Sequence, residues 1–507
     1  MGDEDAAVGD DGLILVSHRG PVQFSRGDDG ERAAERGGGG LVTAMSSLAG
    51  RLGGARWVCA ALTDEDTAVT AEHDGASFDL NEHLDADDAD GDGGLRLRMV
   101  AVDPDAHEGF YSIIANPLLW FVQHELWNRP EAPDLTRREH DAFELGYVAV
   151  NHRFAEVVAE EVEAAGGDAT VMIHDYHFYL LPALVRARCP AVFLHHFVHI
   201  PWPQPDAWRM LPPAMREPIF RGILGNDVVA FHTEGFARNF LLGCAELLGL
   251  DIDLERRSVE VDGRTVRARA YPVSIDPVEL GDRATSVAVG EHQRALWALR
   301  RDHLILRVDR TDPSKNIVRG FRAFDLLLDA HPELSERVTF LALLQPSRQD
   351  VEEYADYTES IRRVVADVNL KHGTSDWQPI DLRLEEDLDQ AVAAYLLYDV
   401  LMVNAIVDGM NLVAKEAVVV NRRDGVLALS ETTGAYEELG RFAVTLYPFD
   451  VAQQAEALYE ALTMGPGERR RRGAEAAAWV REHDVSAWLG AQLADITELC
   501  AGARSTG

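Results

Sequence analysis

Two short stretches of the chain hold residue types at spacings that could do chemistry. Arg310-Thr-Asp-Pro-Ser-Lys315 sets two cations five residues apart across a turn, and Asp408-Gly-Met-Asn-Leu-Val-Ala-Lys-Glu416 sets two carboxylates eight apart around a glycine. An Arg and a Lys so spaced can grip a diphosphate from two sides, the guanidinium as a planar fork and the ammonium as a compact point charge. Lysine is scarce. The chain has only three, Lys315, Lys371 and Lys415, among 48 basic residues, and two of them fall in these stretches, which suggests placement by function. After Gly409 a loop-to-helix transition is expected, whose free amides suit phosphate or sugar oxygens. Glu416, about two turns into that helix, suits the two hydroxyls of a ribose. Each signal has a plainer alternative. Charged turns are usually solvated, and Asp408 could be an ordinary helix cap with Glu416 beside Lys415 on a solvated face.

Groups this far apart in sequence need rigid elements to bring them together. Apolar runs recur at Leu13–Ser17, Thr170–Ile173, Ala191–Leu194, Asp227–Phe231, Leu304–Val308, Val338–Leu344, Asp399–Val403 and Gly425–Leu429, most of them separated by helix-length segments. That alternation predicts parallel βαβ sheets with helices on both faces, which bind ligands at the carboxyl ends of their strands. The first run leads into His18-Arg19-Gly20-Pro21, then Gly37 to Gly40 and a helical pattern over Leu41–Leu52, which reads as strand, glycine loop, helix. Residues 258–270 read as a hairpin, and the two prolines of Tyr271-Pro-Val-Ser-Ile-Asp-Pro277 mark a boundary between two large doubly wound domains. An amphipathic Arg/Ala-rich helical pattern over Glu468–Leu499 closes the chain.

Composition excludes several functions. A net charge of −37 over 507 residues argues against binding nucleic acid or an anionic membrane through a general basic surface, so any phosphate site must be locally basic. No apolar run reaches the roughly 18 residues of a membrane span, and the acidic start Met1-Gly-Asp-Glu-Asp does not read as an export signal, so a cytoplasmic protein is expected. Four cysteines, Cys59, Cys189, Cys244 and Cys500, lack CxxC spacing and are expected reduced and mostly buried. His174, His177, His195, His196 and His199 cluster near strand ends without metal-ligand spacing, and Asp85–Asp92 lacks the closing Glu of a calcium loop. No metal is expected at either.

The segments Ser17-His-Arg-Gly-Pro, Ile173-His-Asp-Tyr-His177, His199-Ile-Pro-Trp-Pro203, Arg310 to Lys315 and Asp408 to Glu416, in this order, resemble the trehalose-6-phosphate synthases, the retaining glycosyltransferases of family 20. The resemblance spans about residues 13 to 450. It implies an α/β glycosyltransferase B fold, two Rossmann-like domains facing across a cleft. After an acidic disordered tail over 1–11 come an acceptor-binding domain over 12–272, a nucleotide-sugar-binding domain over 273–482, and over 483–507 a helix returning to the first domain. It also implies transfer of glucose from a nucleoside-diphosphate glucose, UDP or GDP, to glucose 6-phosphate with no metal or other cofactor. Both partners are small molecules, and self-association is left open.

Position by position, the resemblance implies that Arg310 and Lys315 bind the donor diphosphate and Glu416 the ribose. Asp408 with the amides of Gly409, Met410, Asn411, Leu412 and Val413, and Gly39 and Gly40 of the glycine loop, would hold the rest of the donor. His199 would contact the donor glucose, Asp175 would orient the acceptor sugar, and Arg19, Tyr111, Trp120 and Arg348 would take the acceptor phosphate. No carboxylate stands out as a covalent nucleophile, so front-face attack assisted by the leaving phosphate is implied. The chain departs from the pattern at Thr311 and Pro313, where Leu and Tyr are usual, at Asn316, where Gly is usual, in the loop Val403-Asn-Ala-Ile-Val407, and at His195-His196. Related alternatives are a pseudo-glycosyltransferase coupling a nucleotide-linked cyclitol to an aminocyclitol phosphate, a glucosylglycerol-phosphate synthase, and a non-catalytic sugar-phosphate sensor.

Overall fold

The computed structural model of the chain describes residues 12–27, 30–36, 55–84, 94–167, 169–349 and 351–506. The acidic tail over 1–11, Gly39 and Gly40, the helical pattern over 41–52 and the acidic run over 85–92 lie outside the described residues. The chain divides into two units, one of residues 1–271 with 489–507 and one of residues 272–488.

In the first unit the apolar runs become strands β1 (Leu13–Val16), β7 (Thr170–His174), β8 (Phe193–Phe197) and β9 (Val228–Phe231), and β1, β7 and β9 are buried along their whole length. Such runs are apolar on both faces because helices cover both sides of a parallel sheet. Two further parallel strands, β4 (Arg56–Ala60) and β6 (Arg96–Val100), escaped the sequence reading because arginines break their apolar pattern. Those charges are compensated. Arg56 and Arg98 reach the buried Glu161 of the helix Ala149–Ala164 at 2.9 and 2.7 Å. The ten-stranded sheet runs β10-β11-β12-β9-β8-β7-β1-β4-β6-β5, with the expected hairpin as β11 (Ser258–Val261) and β12 (Arg264–Ala270), and short outer strands β5 (Phe78–Asp79) and β10 (Ile252–Asp253).

Between β1 and the glycine-rich segment lies an element that the sequence pattern does not announce, a separate antiparallel hairpin of β2 (Val22–Arg26) with β3 (Arg32–Arg36). It is anchored by the buried Phe24, whose amide donates to Asp66 Oδ1 at 2.8 Å.

The second unit holds six parallel strands in the order β15-β14-β13-β16-β17-β18: β13 (His303–Arg310), β14 (Val338–Gln345), β15 (Ile380–Arg383), β16 (Val400–Val403), β17 (Val426–Ser430) and β18 (Val444–Leu446). In chain order within the unit this is 3-2-1-4-5-6, so winding reverses between β13 and β16. The first unit reverses likewise between β1 and β7. The helix Ile317–Ala330 packs onto the second sheet through Ile317, Phe321, Phe324, Leu327 and Leu328, one apolar face at helical spacing.

The closing helical pattern is two helices, Pro466–Glu482 and Val485–Thr506, broken at His483-Asp484. From Leu489 onward the last helix belongs to the first unit, where Asp495 Oδ2 accepts hydrogen bonds from Arg269 Nε at 3.0 Å and the Tyr271 hydroxyl at 2.6 Å.

Candidate active site

Both switch points carry the residues singled out in the sequence. In the second unit β13 ends at Arg310 and the chain turns through a tight helical turn, Pro313–Lys315. Pro313 suits its first position because it lacks only an amide that would go unused there. Asn316 follows in the left-handed region at φ 58°. That explains its standing where Gly is usual, since Asn tolerates this conformation better than most residues. Thr311, the other departure, accepts at Oγ1 from the Ser347 amide at 3.0 Å and so ties the turn to the loop carrying Arg348.

The cations of this unit are arranged around two carboxylates. Lys315 Nζ pairs with Asp408 Oδ2, each side chain 14% exposed. Asp312, fully buried, accepts from the Ser314 amide and hydroxyl at 2.9 and 2.7 Å, and its other oxygen stands 3.9 Å from both Arg310 and Arg348. Tyr354 joins them, its hydroxyl bonded to Arg348 and 3.2 Å from Asp312 Oδ2. The sequence reading passed over Asp312 and Tyr354, although Asp312 stands between the two cations it identified. Burial pulls the Lys315 ammonium toward neutrality, but Asp408 and then Asp309 outweigh it and hold its pKa above the ordinary value. Asp309, the residue before Arg310, is pushed up to about 6 by burial against the opposing charges of Arg307 and Lys315.

The second stretch folds as a loop entering the helix Leu412–Val420. Asn411, at φ 80°, is the cap, and Asp408 is not. Asn411 Oδ1 accepts the Ala414 amide at 3.2 Å, so that amide is already used, while its Nδ2 donates to Asp408 Oδ2 at 3.1 Å. Glu416 lies about one turn into the helix rather than two, half-buried, with Oε2 accepting from the Tyr395 hydroxyl at 3.1 Å. Burial raises its pKa against that hydrogen bond. Lys415 is a correction: its Nζ is buried, donates to the Val273 carbonyl at 2.8 Å and pairs with Glu438 at 2.5 Å, so this lysine holds the fold together. The loop is pinned from above by Gly434, where a Cβ would stand 2.0 Å from the Gly409 carbonyl oxygen.

In the first unit Asp175 follows β7 with φ 72° and ψ 175°, backbone angles that only glycine adopts easily. Three bonds impose them: its amide donates to the Phe197 carbonyl at 2.8 Å, its carbonyl accepts from His196 Nε2 at 3.0 Å, and its Oδ1 accepts the His199 amide at 3.2 Å. Asp175 and His199, sequence candidates 24 residues apart, are therefore brought together. His199 shares a hydrogen bond with His174 Nδ1 at 3.0 Å and stacks on Phe197, and burial, followed by His232 and His174, keeps it neutral well below the usual imidazole range.

Arg19 is exposed after β1, its carbonyl held by Ser17 Oγ at 2.6 Å, and a Cβ at Gly20 would meet Cys59 Sγ at 2.6 Å. Beside it His18 stacks against both Tyr111 and His177, at ring distances of 4.9 and 4.7 Å, and shares a hydrogen bond with His107 at 3.2 Å. Trp120 is also buried, and its ring reaches this group through Tyr176 and His177. Of the four cysteines, Cys59 and Cys244 are buried and Cys189 and Cys500 half-buried.

Two trios with metal-ligand atoms occur among the described residues, and neither is among the histidines noted in the sequence. His73 and His83 meet Nε2 to Nε2 at 3.0 Å with ring centroids 5.3 Å apart, a head-on shared proton rather than lone pairs converging on an ion. Asp325 and Asp329 already hold the ammonium of Lys371 at 2.9 and 2.5 Å, and His372 Nε2 bonds Asp325 Oδ1 at 2.7 Å.

The sequence profile of glycosyltransferase family 20 matches residues 11–498. A trehalose-6-phosphate synthase of Mycobacterium sp. (strain KMS) is 34% identical over 99% of this chain and 98% of its own length. A validamine 7-phosphate valienyltransferase of Streptomyces hygroscopicus subsp. jinggangensis is 31% identical over 95% and 93%. Among solved structures, an alpha,alpha-trehalose-phosphate synthase (UDP-forming) from Burkholderia vietnamiensis matches with a TM-score of 0.79 at 27% identity, covering 97% of this chain and 98% of that one. One from Burkholderia xenovorans, in complex with glucose-6-phosphate, matches with 0.78 at 26%, covering 95% and 99%. The profile spans nearly the whole chain, the whole-length relatives agree with it, and the chain belongs to glycosyltransferase family 20.

Proposed function

We propose that this enzyme transfers glucose, with retention, from a nucleoside-diphosphate glucose to glucose 6-phosphate, giving trehalose 6-phosphate and the nucleoside diphosphate, with UDP-glucose as the donor to test first. The observation that carries the reading is the grouping of Lys315, Asp408, Arg310 and Arg348 about the β13/β16 switch point. Lys315 and Arg310 take the diphosphate, Asp408 and the amides of Gly409 to Val413 the glucose, and Glu416 the ribose. As the bond from glucose to phosphate breaks, negative charge grows on the diphosphate and the sugar becomes oxocarbenium-like. Fixed cations then stabilise the leaving group more in the transition state than before it. Because side chains supply that charge, the proposal requires no metal. In the first unit Asp175 orients the acceptor sugar, neutral His199 contacts the donor glucose, and Arg19 and Tyr111, with Trp120 behind them, meet the acceptor phosphate, for which Arg348 is also proposed.

The test is release of nucleoside diphosphate with UDP-, GDP- and ADP-glucose crossed with glucose 6-phosphate, glycerol 3-phosphate and no acceptor, with mass spectrometry of the products. A disaccharide phosphate formed only with glucose 6-phosphate supports the proposal. No turnover with any pair, despite saturable nucleotide binding, would overturn it in favour of cyclitol coupling, the reading that the valienyltransferase relative supports.

A further inference from the structure

Arg307 is fully buried, an expensive place for a guanidinium unless it is well bonded. It stands on β13 immediately after that strand stops pairing with β16: the register ends at Leu306 with Leu401, while β13 continues beside β14 to Arg310. Into the gap so opened Arg307 donates from Nη2 to Asn404 Oδ1 and, at 3.1 Å, to the main-chain carbonyl of Lys315. Its Nε stands 3.1 Å from Asp309 Oδ2. Asn404, the first residue after β16, donates from Nδ2 to the Asn316 carbonyl at 3.3 Å and to Gln454 Oε1 at 2.8 Å. Asn316 in turn donates from Nδ2 to the carbonyls of Asn404 at 2.9 Å and Pro448 at 2.6 Å. Gly320 keeps the space clear, since a Cβ there would come within 3.1 Å of Arg307 Nη1 and 3.3 Å of Asn404 Nδ2. Asn316 and Asn404, two sequence departures 88 residues apart, are thus bonded to each other and act with Arg307 as one unit.

We propose that Arg307, through Asn404 and Asn316, is the positioning residue of the diphosphate site: it fixes the main chain of Lys315, so that this lysine is presented to a nucleoside diphosphate. The inference rests on the reading of Arg310 and Lys315 as diphosphate ligands, and the experiment separates the two.

UDP and GDP are titrated calorimetrically into the wild type, Lys315→Ala, the charge-neutral double variant Arg307→Met/Asp309→Asn, and Asn404→Ala, with thermal unfolding and both substrate KM values measured in parallel. The Arg307 and Asn404 variants are expected to bind the better nucleotide about 10- to 100-fold more weakly, the range seen when an outer-shell partner of a binding group is lost. Donor KM should rise and acceptor KM stay unchanged, a split that general loosening of the fold would not produce. If Lys315→Ala abolishes binding while the double variant, or Asn404→Ala should the double variant unfold, binds as the wild type does, the role of Arg307 is overturned. If the wild type binds neither nucleotide, or Lys315→Ala binds as tightly as wild type, the diphosphate site itself is wrong and the inference goes with it.

Discussion

Lys315 and Asp408 hold each other in the described structure, so a ligand entering there exchanges one ion pair for another and must bring negative charge to Lys315 and hydroxyls to Asp408. A sugar diphosphate does both. Lys315→Ala should lower kcat about 10²- to 10³-fold, the cost of losing one preorganised group that stabilises a developing anion, as steady-state rates would show. Arg348→Gln should raise acceptor KM severalfold with little change in nucleoside diphosphate affinity, and an unchanged acceptor KM would remove Arg348 from the phosphate site. Arg310 with Lys315, and Asp408 with Glu416, stand out as candidates because each pair lies in one short stretch, where spacing alone limits what they can do. Lys415 was misread for an instructive reason. Its rarity marked it as placed, but rarity does not distinguish an ammonium aimed at a ligand from one buried against Glu438. Arg307 and Asn404 could not be paired from sequence, since 97 residues separate them and only the splay of two strands brings them together.

The switch points explain why motifs scattered over hundreds of residues become two sites. At each, neighbouring strands send their connections to opposite faces, leaving the carboxyl ends open for ligands. The loop carrying Asp408 is set in that opening by close packing: Gly434 lies so near Gly409 that a methyl group has no room. Gly434→Ala should therefore displace the Gly409 carbonyl, destabilise the protein by about 1 to 3 kcal/mol and weaken nucleotide binding, measurable by thermal unfolding and calorimetry. An unchanged nucleotide affinity would show that the loop position is not critical. Strands such as β7 and β16 were readable as apolar runs because they are buried on both faces. By contrast β4 and β6 were hidden by arginines that pair with Glu161, and β2 and β3 by lying outside the main sheet with six of their ten residues polar.

Across the whole molecule, the first unit buries a set of histidines that the fold keeps neutral. Burial lowers His195 to about 4 and His196 to about 3. Because the unfolded chain takes up these protons near pH 6.5 and the folded one does not, their contribution is complete above about pH 6.5 and is lost progressively as the pH falls toward 4 and then 3. The loss is on the order of 3 kcal/mol or more for each. The melting temperature should therefore drop between about pH 7 and pH 5, and His195→Gln should flatten that dependence; an equally steep wild-type and variant curve would assign the acid sensitivity elsewhere. The path of the chain also has a consequence for its birth. Tyr271 finds its partner Asp495 only 224 residues later, on a helix made after the whole of the second unit. At roughly 5 to 20 residues per second, the first unit waits about 10 to 45 seconds for its final helix while the second is made. A nascent chain stalled before Leu489, or a protein cut there, therefore lacks a piece of its first unit rather than of its second.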